Sequence, residues 1–172
     1  IPVGLVRDSD HPVVRGTFER LAKASTGVAN IHRMIANSPD IFGHFIDYAH
    51  ALRHKSDLDP AERELAIIRV LALNGGDYEL VHHRRMGLAA GLTDAEIAGA
   101  EAADIDPKPY GERRFGVLCF ADAFARGVEL EPPAADRFAG FYDDRQRVEL
   151  ALTLALYLGL ARVTGLFVLP ED

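Results

Sequence analysis

Apolar positions recur every three or four residues along most of this chain, and no stretch alternates convincingly with period two, so the pattern predicts an all-α fold. From Pro12 to Lys23 the apolar residues fit one helical face until Ser25-Thr26-Gly27 breaks it, and a second short helix is expected over residues 28–36. Ser38-Pro39 has the form of an N-cap with proline in the first turn, opening a helix that runs to about His54. Asp59-Pro60-Ala61-Glu62 is the sharpest start signal, because Asp59 can cap the helix and Glu62 can reach back to complete a capping box. The helix that follows is apolar nearly all round from Leu65 to Leu73, which makes it central, and Asn74-Gly75-Gly76 offers a left-handed stop.

The next helix begins near Asp77 and ends at Gly91-Leu92, after which Thr93-Asp94-Ala95-Glu96 repeats the capping-box pattern for a short helix. A loop at Asp106-Pro107-Lys108-Pro109 leads to a helix over residues 111–126, and Glu131-Pro132-Pro133 precedes a shorter one ending before Tyr142. The last helix spans about Arg145 to Phe167. Residues 1–11 lack periodicity and read as an extended arm, leaving residues 12–172 as one domain of about eight helices.

Composition narrows the function classes. With 172 residues, 48% of them hydrophobic, the chain can bury a sizeable core, and a formal charge of −7 argues against nucleic acid as a partner. The single cysteine, Cys119, excludes an internal disulfide and any dithiol redox mechanism, and it reads as a small core residue. With no signal peptide visible, the expected location is the cytoplasm. Residues 150–169 are membrane-like in composition, but Arg162 interrupts them, so the expectation is a buried or subunit-interface helix and no membrane partner.

Candidate chemistry gathers in Tyr78-Glu79-Leu80-Val81-His82-His83. His82, His83, Arg84 and Arg85 sweep roughly 300° of helix surface, so at least one faces protein. Glu79, His83, Gly87 and Ala90 share one side, which points His83 inward and places Glu79 one turn earlier, where it could hold the imidazole in one tautomer or exchange a proton with it. Glu64 supplies a second carboxylate from the preceding helix. The alternatives are an exposed Glu79–His83 pair worth a few tenths of a kcal/mol and a Glu64 that merely complements the helix dipole. Tyr78 could donate into the site or sit in the core. Arg69 could meet a substrate carboxylate or pair with Glu64 or Glu149. Glu79-Leu80-Val81-His82 has the Glu-x-x-His form of di-iron bundles, yet no second element follows Glu149. His50 and His54, with Asp47 nearby, could bind a metal, but a solvated polar face explains them more simply; no metal site is expected. No Gly-rich phosphate loop or nucleophile elbow is present. A faint echo relates Arg63-Glu64-Leu65-Ala66 to Val148-Glu149-Leu150-Ala151, with no histidine after the second copy.

The run from Leu58 to Val70, then Tyr78 to His83, then Ala89-Ala90-Gly91-Leu92-Thr93 resembles the carboxymuconolactone decarboxylase family, whose superfamily includes the alkylhydroperoxidase D-like proteins. The likeness extends over about residues 27–167. The peroxidase branch carries a glutamate ahead of a Cys-x-x-Cys-x-x-x-His motif. Alignment on Gly91 sets Glu64 and His83 at the matching positions, with Gly76 and Glu79 where the cysteines would stand. The resemblance implies an alkylhydroperoxidase D-like helical fold, assembly as homo-trimers or hexamers, and a Glu/His proton relay acting on a small molecule. The decarboxylase branch uses neither redox cysteines nor an organic cofactor or metal, so the expectation is a cofactor-independent lyase or isomerase with His83, Glu79 and Glu64 as catalytic residues and Tyr78, His82 and Arg69 at the substrate. A peroxidase and a non-catalytic ligand-binding oligomer are the alternatives.

Overall fold

The computed structural model describes residues 1–24, 27–170 and 172; the expected breaker at Ser25-Thr26 lies outside the described residues. Among them nine helices and no strand are present: α1 (Pro12–Lys23), α2 (Asn30–Ile35), α3 (Pro39–His54), α4 (Pro60–Asn74), α5 (Asp77–Ala89), α6 (Asp94–Glu101), α7 (Glu112–Arg126), α8 (Pro132–Phe141) and α9 (Asp144–Phe167). The chain divides into two compact units, one formed by Ile1–Lys55 with Leu166–Asp172, the other by Ser56–Gly165.

In the first unit, α1 and α2 pack on α3 around Val14, Ala36, Phe42 and Ile46, with the Phe18 ring edge-on to Phe42 at 5.5 Å. Residues 1–11 are irregular, and they are tied down where Val6 N–H donates to the Arg33 carbonyl and the Asn37 amide to that of Gly4. Ser38 stands at the N-cap of α3 but its hydroxyl makes no cap bond; proline at the first helical position fixes the start instead.

The second unit is organised around α4. Asp59 caps it, accepting from Ala61 and Glu62 N–H at 2.9 and 3.1 Å. The expected return bond from Glu62 is not made, because its Oε1 takes the Arg113 Nε–H at 2.6 Å. Every residue from Ala61 to Leu71 is buried, and each fully buried leucine or isoleucine in this run contributes roughly 1.5–3 kcal/mol. The helices α5, α6 and α7 pack on α4, and α8 packs on α7. Gly75, at φ 71°, provides the left-handed stop. Thr93 and Glu96 form the capping box that opens α6. Gly87 lets α5 lie close to α4: a Cβ there would come within 3.2 Å of the Ile68 Cδ1. By length and composition α9 is the one helix among the described residues that could cross a membrane; its Leu150, Leu154 and Ala161 belong to the core of the second unit.

Candidate functional site

Glu64 is the fifth residue of α4, beyond the first turn, so a role in complementing the helix dipole is overturned by position. Its side chain points into the second unit and the residue is 1% exposed. One turn and a half into α5, His83 is 4% exposed and its Nδ1 lies 2.6 Å from Glu64 Oε2. An ionised carboxylate only accepts, so in this contact Nδ1 is the donor. Arg63 Nη2 donates to Glu64 Oε1 at 3.4 Å, and the Tyr157 ring of α9 stands edge-on to the imidazole at 4.5 Å. The imidazole is thus oriented by a buried carboxylate at Nδ1 and by an aromatic wall against its face.

Glu79 lies one turn before His83 on the same buried side of α5 and is 4% exposed. The hydroxyl of Thr164 on α9 lies 3.1 Å from its Oε2, while Oε1 has no hydrogen-bond partner among the described residues. Burial pushes this carboxyl above the usual carboxylate range, and Asp77 adds to the rise; hydrogen bonds from its own backbone N–H and from Thr164 oppose it. The carboxylate partner of His83 is therefore Glu64, and Glu79 faces α9.

Tyr78 and His82 are half-buried and form an edge-to-face pair with centroids 5.4 Å apart. Arg69, expected at a substrate carboxylate or against Glu64 or Glu149, is corrected by the structure. It is fully buried and bonds Asp122 Oδ1 through Nε and Nη2 at 2.9 and 2.5 Å. Its remaining donors go to the carbonyls of Ala100, Ala102 and Ala103. All five guanidinium N–H groups are thereby used in joining α4 to α7 and to the end of α6, which leaves none for a ligand.

Gly76, where the resemblance to the peroxidase branch would set the first cysteine, is closely packed, and a side chain there requires Leu71 to shift. A Cβ there would stand 2.6 Å from Leu71 Cδ2 and 3.1 Å from the Ala161 Cβ. Among the described residues no group of three or more His, Cys, Asp or Glu could hold a metal ion. In the first unit the His50 and His54 rings lie 4.5 Å apart, and Asp47 is paired with Arg20 at 3.0 Å. An open groove of about 570 Å³ between α1 and α3 is lined by residues such as Gly16, Thr17 and His44 and by none of the acid–base groups.

Sequence reasoning passed over Thr164, Tyr157 and Arg63. A legible signal existed for Thr164. It falls on the stripe of Leu150, Leu154, Tyr157 and Ala161 at three- and four-residue spacing, a hydroxyl on an otherwise core-facing side.

Residues 39–107, which contain Glu64, Arg69, Tyr78, Glu79, His82 and His83, match the model of the Carboxymuconolactone decarboxylase family. No curated protein matches the sequence. Among solved structures, an uncharacterized peroxidase-related protein from Silicibacter sp. TM1040 superposes with a TM-score of 0.79 at 18% identity, over 98% of this chain and 96% of that one. The debrominase Bmp8 in its apo form gives 0.73 at 19% identity, over 99% and 91%. A protein of unknown function from Agrobacterium tumefaciens, a candidate antioxidant defence protein AhpD, gives 0.70 at 16% identity, over 80% and 94%. The chain thus matches the carboxymuconolactone decarboxylase family model over residues 39–107 and shares its helical architecture with these solved structures, while its sequence holds no Cys-x-x-Cys motif.

Proposed function

We propose that this protein is a cofactor-independent acid–base enzyme of the lyase or isomerase type, acting on a small carboxylated or lactone substrate as a 4-carboxymuconolactone decarboxylase does. The observation that carries the reading is the buried 2.6 Å contact between Glu64 and His83, with the buried carboxyl of Glu79 one turn away. In this reading Glu64 accepts from Nδ1 and orients the imidazole, and His83 takes or returns a substrate proton. The carboxylate also stabilises the imidazolium formed when it does so. A positioned acid–base group of this kind contributes about 10²–10⁴ in rate. The experiment is turnover of 4-carboxymuconolactone and related lactone acids by the wild type and by His83→Ala, followed by NMR in deuterated water. Loss of turnover and of solvent-deuterium incorporation in a folded variant is expected; undiminished turnover would remove His83 from the mechanism.

The peroxidase reading is disfavoured. It needs an electron-carrying thiol pair, and the chain has a single cysteine, Cys119, with Gly76 and Glu79 at the two positions. Homo-oligomerisation belongs to the same proposal. On α9, Val148, Leu152 and Val163 are exposed at 58, 44 and 37%, with Ala155 and Gly159 on the same side, an apolar stripe with the spacing of a helix-packing seam. Sedimentation at micromolar concentration should give a trimer or hexamer, and a stable monomer would contradict this.

A further inference from the structure

Glu79 poses a proton-counting problem. Thr164 Oγ1 lies 3.1 Å from Glu79 Oε2, 3.0 Å from the Leu160 carbonyl and 3.4 Å from that of Ala161. A hydroxyl carries one proton, and neither a carbonyl nor an ionised carboxylate can supply another. With Glu79 ionised, Thr164 serves either the carboxylate or the carbonyl of its own helix, and a buried negative charge keeps Oε1 without a partner. A carboxylic acid removes both difficulties. Glu79 then donates its proton to Thr164 Oγ1, and Thr164 donates to Leu160, the usual back-bond of a threonine inside a helix.

The charges around Glu79 leave this arrangement standing. On α5, Asp77 disfavours ionisation, and Arg84 is taken up by Glu101 at 2.5 and 2.7 Å. On α4, Glu64 is bound by His83 and Arg63, and on α9 Arg162 donates to Asn74. Among the described residues no cation forms an ion pair with Glu79, and burial pushes its carboxyl in the same direction.

We propose that Glu79 stands as a neutral carboxylic acid at neutral pH, its proton resting on Thr164 Oγ1, and that Thr164 is the positioning residue that makes Glu79 the proton donor of the site. The assignment of a donor rests on the acid–base reading above and sharpens it, because His83 in that reading accepts one proton while Glu79 delivers another. In such a step a C–H or O–H bond of the substrate breaks toward His83, an electron pair moves along the conjugated system, and a new bond forms to the proton from Glu79. Protons and electrons balance without a co-reactant. Two groups in opposite states suit an unsaturated lactone or enol acid in which hydrogen moves between two atoms. Loss of carbon dioxide alone requires only the donor.

Infrared spectroscopy of the substrate-free protein tests the protonation directly. At pH 7 the wild type should show a protonated-carboxyl stretch that is lost in Glu79→Gln; a wild-type spectrum without a Glu79-dependent band overturns the proposal. Thr164→Val should move that band to higher frequency, since the acid loses its acceptor, and Thr164→Ser should return it. A band unmoved in Thr164→Val overturns the role of Thr164, and Thr164→Ala makes the same comparison if valine is not accommodated. No turnover is measured, so failure of this result and failure of the assigned reaction are separately visible.

Discussion

Two buried charge networks hang from α4 five residues apart, at Glu64 and at Arg69, and they are finished to different degrees. Around Arg69 every donor has an acceptor, and Asp122 is also held by Arg126 at 3.0 Å. Around Glu64 an imidazole and a second buried carboxyl come together instead, and that carboxyl, Glu79, has an oxygen with no partner among the described residues. A saturated network can only hold helices together, whereas one that pairs an imidazole with buried carboxyls has the groups that exchange protons. The same contrast separates Glu64 from Glu149, its echo at the start of α9. Glu149 accepts from Asp57 N–H and Arg145 near the surface and closes a structural contact.

The comparison can be broken most forcefully at its saturated end. Arg69→Ala should cost about 3–5 kcal/mol, because it takes the buried donor from the Ala100 and Ala102 carbonyls and leaves Asp122 and the Ala103 carbonyl to Arg126 alone. Chemical denaturation measures this, and a loss below about 1 kcal/mol would show that the network is not structural. At the unfinished end, His83→Gln should lower turnover about 10²–10⁴-fold with a far smaller change in stability, since the glutamine amide can still donate to Glu64. Parallel kinetics and thermal melting separate the two effects. Gly76→Ala should destabilise by about 1–3 kcal/mol through overpacking against Leu71 and Ala161. For the same reason, a chain carrying both Gly76→Cys and Glu79→Cys should gain no peroxide turnover in a thiol-coupled assay.

Glu79→Gln sharpens the comparison through pH. Burial raises the folded-state value of Glu79 above its unfolded value, so its contribution is fully present below the unfolded value and is lost as pH rises through the folded one. Wild type and Glu79→Gln should therefore differ little in stability on the acid side, and the variant should become relatively more stable on the alkaline side. Denaturation midpoints across pH measure the gap. A separate pH effect belongs to the first unit, where the Ala29 N–H donates to His32 Nδ1 and so requires a neutral ring. Burial, aided by Arg53 and Arg33 against Asp172, pushes His32 down to about 4. That bond stabilises the unit above the ordinary histidine value and is lost as pH falls from about 6.5 through about 4. An acid titration followed at His32 by NMR should show the late protonation.

The sequence by itself determined the elements. Their caps and stops are local chemistry, in which Asp59, Thr93 with Glu96, and Gly75 act within one turn of their own positions. The helical period likewise determined that Glu79, His83 and Gly87 share a buried side, since a residue's face follows from its number. Through the family likeness it also pointed to Glu64 and His83 as candidate site residues. Only the tertiary structure decided which acid meets which base. Glu64 and His83 are 19 residues apart, Thr164 and Glu79 85, and Arg69 and Asp122 53. Pairings at such separations depend on how α4, α5, α7 and α9 pack, and spacing along one helix carries no information about them. For that reason the periodicity that placed Glu79 beside His83 was sound geometry, yet the nearer carboxylate in the fold is Glu64. The proton of Glu79 was set by a threonine that becomes its neighbour only when α9 closes against α5.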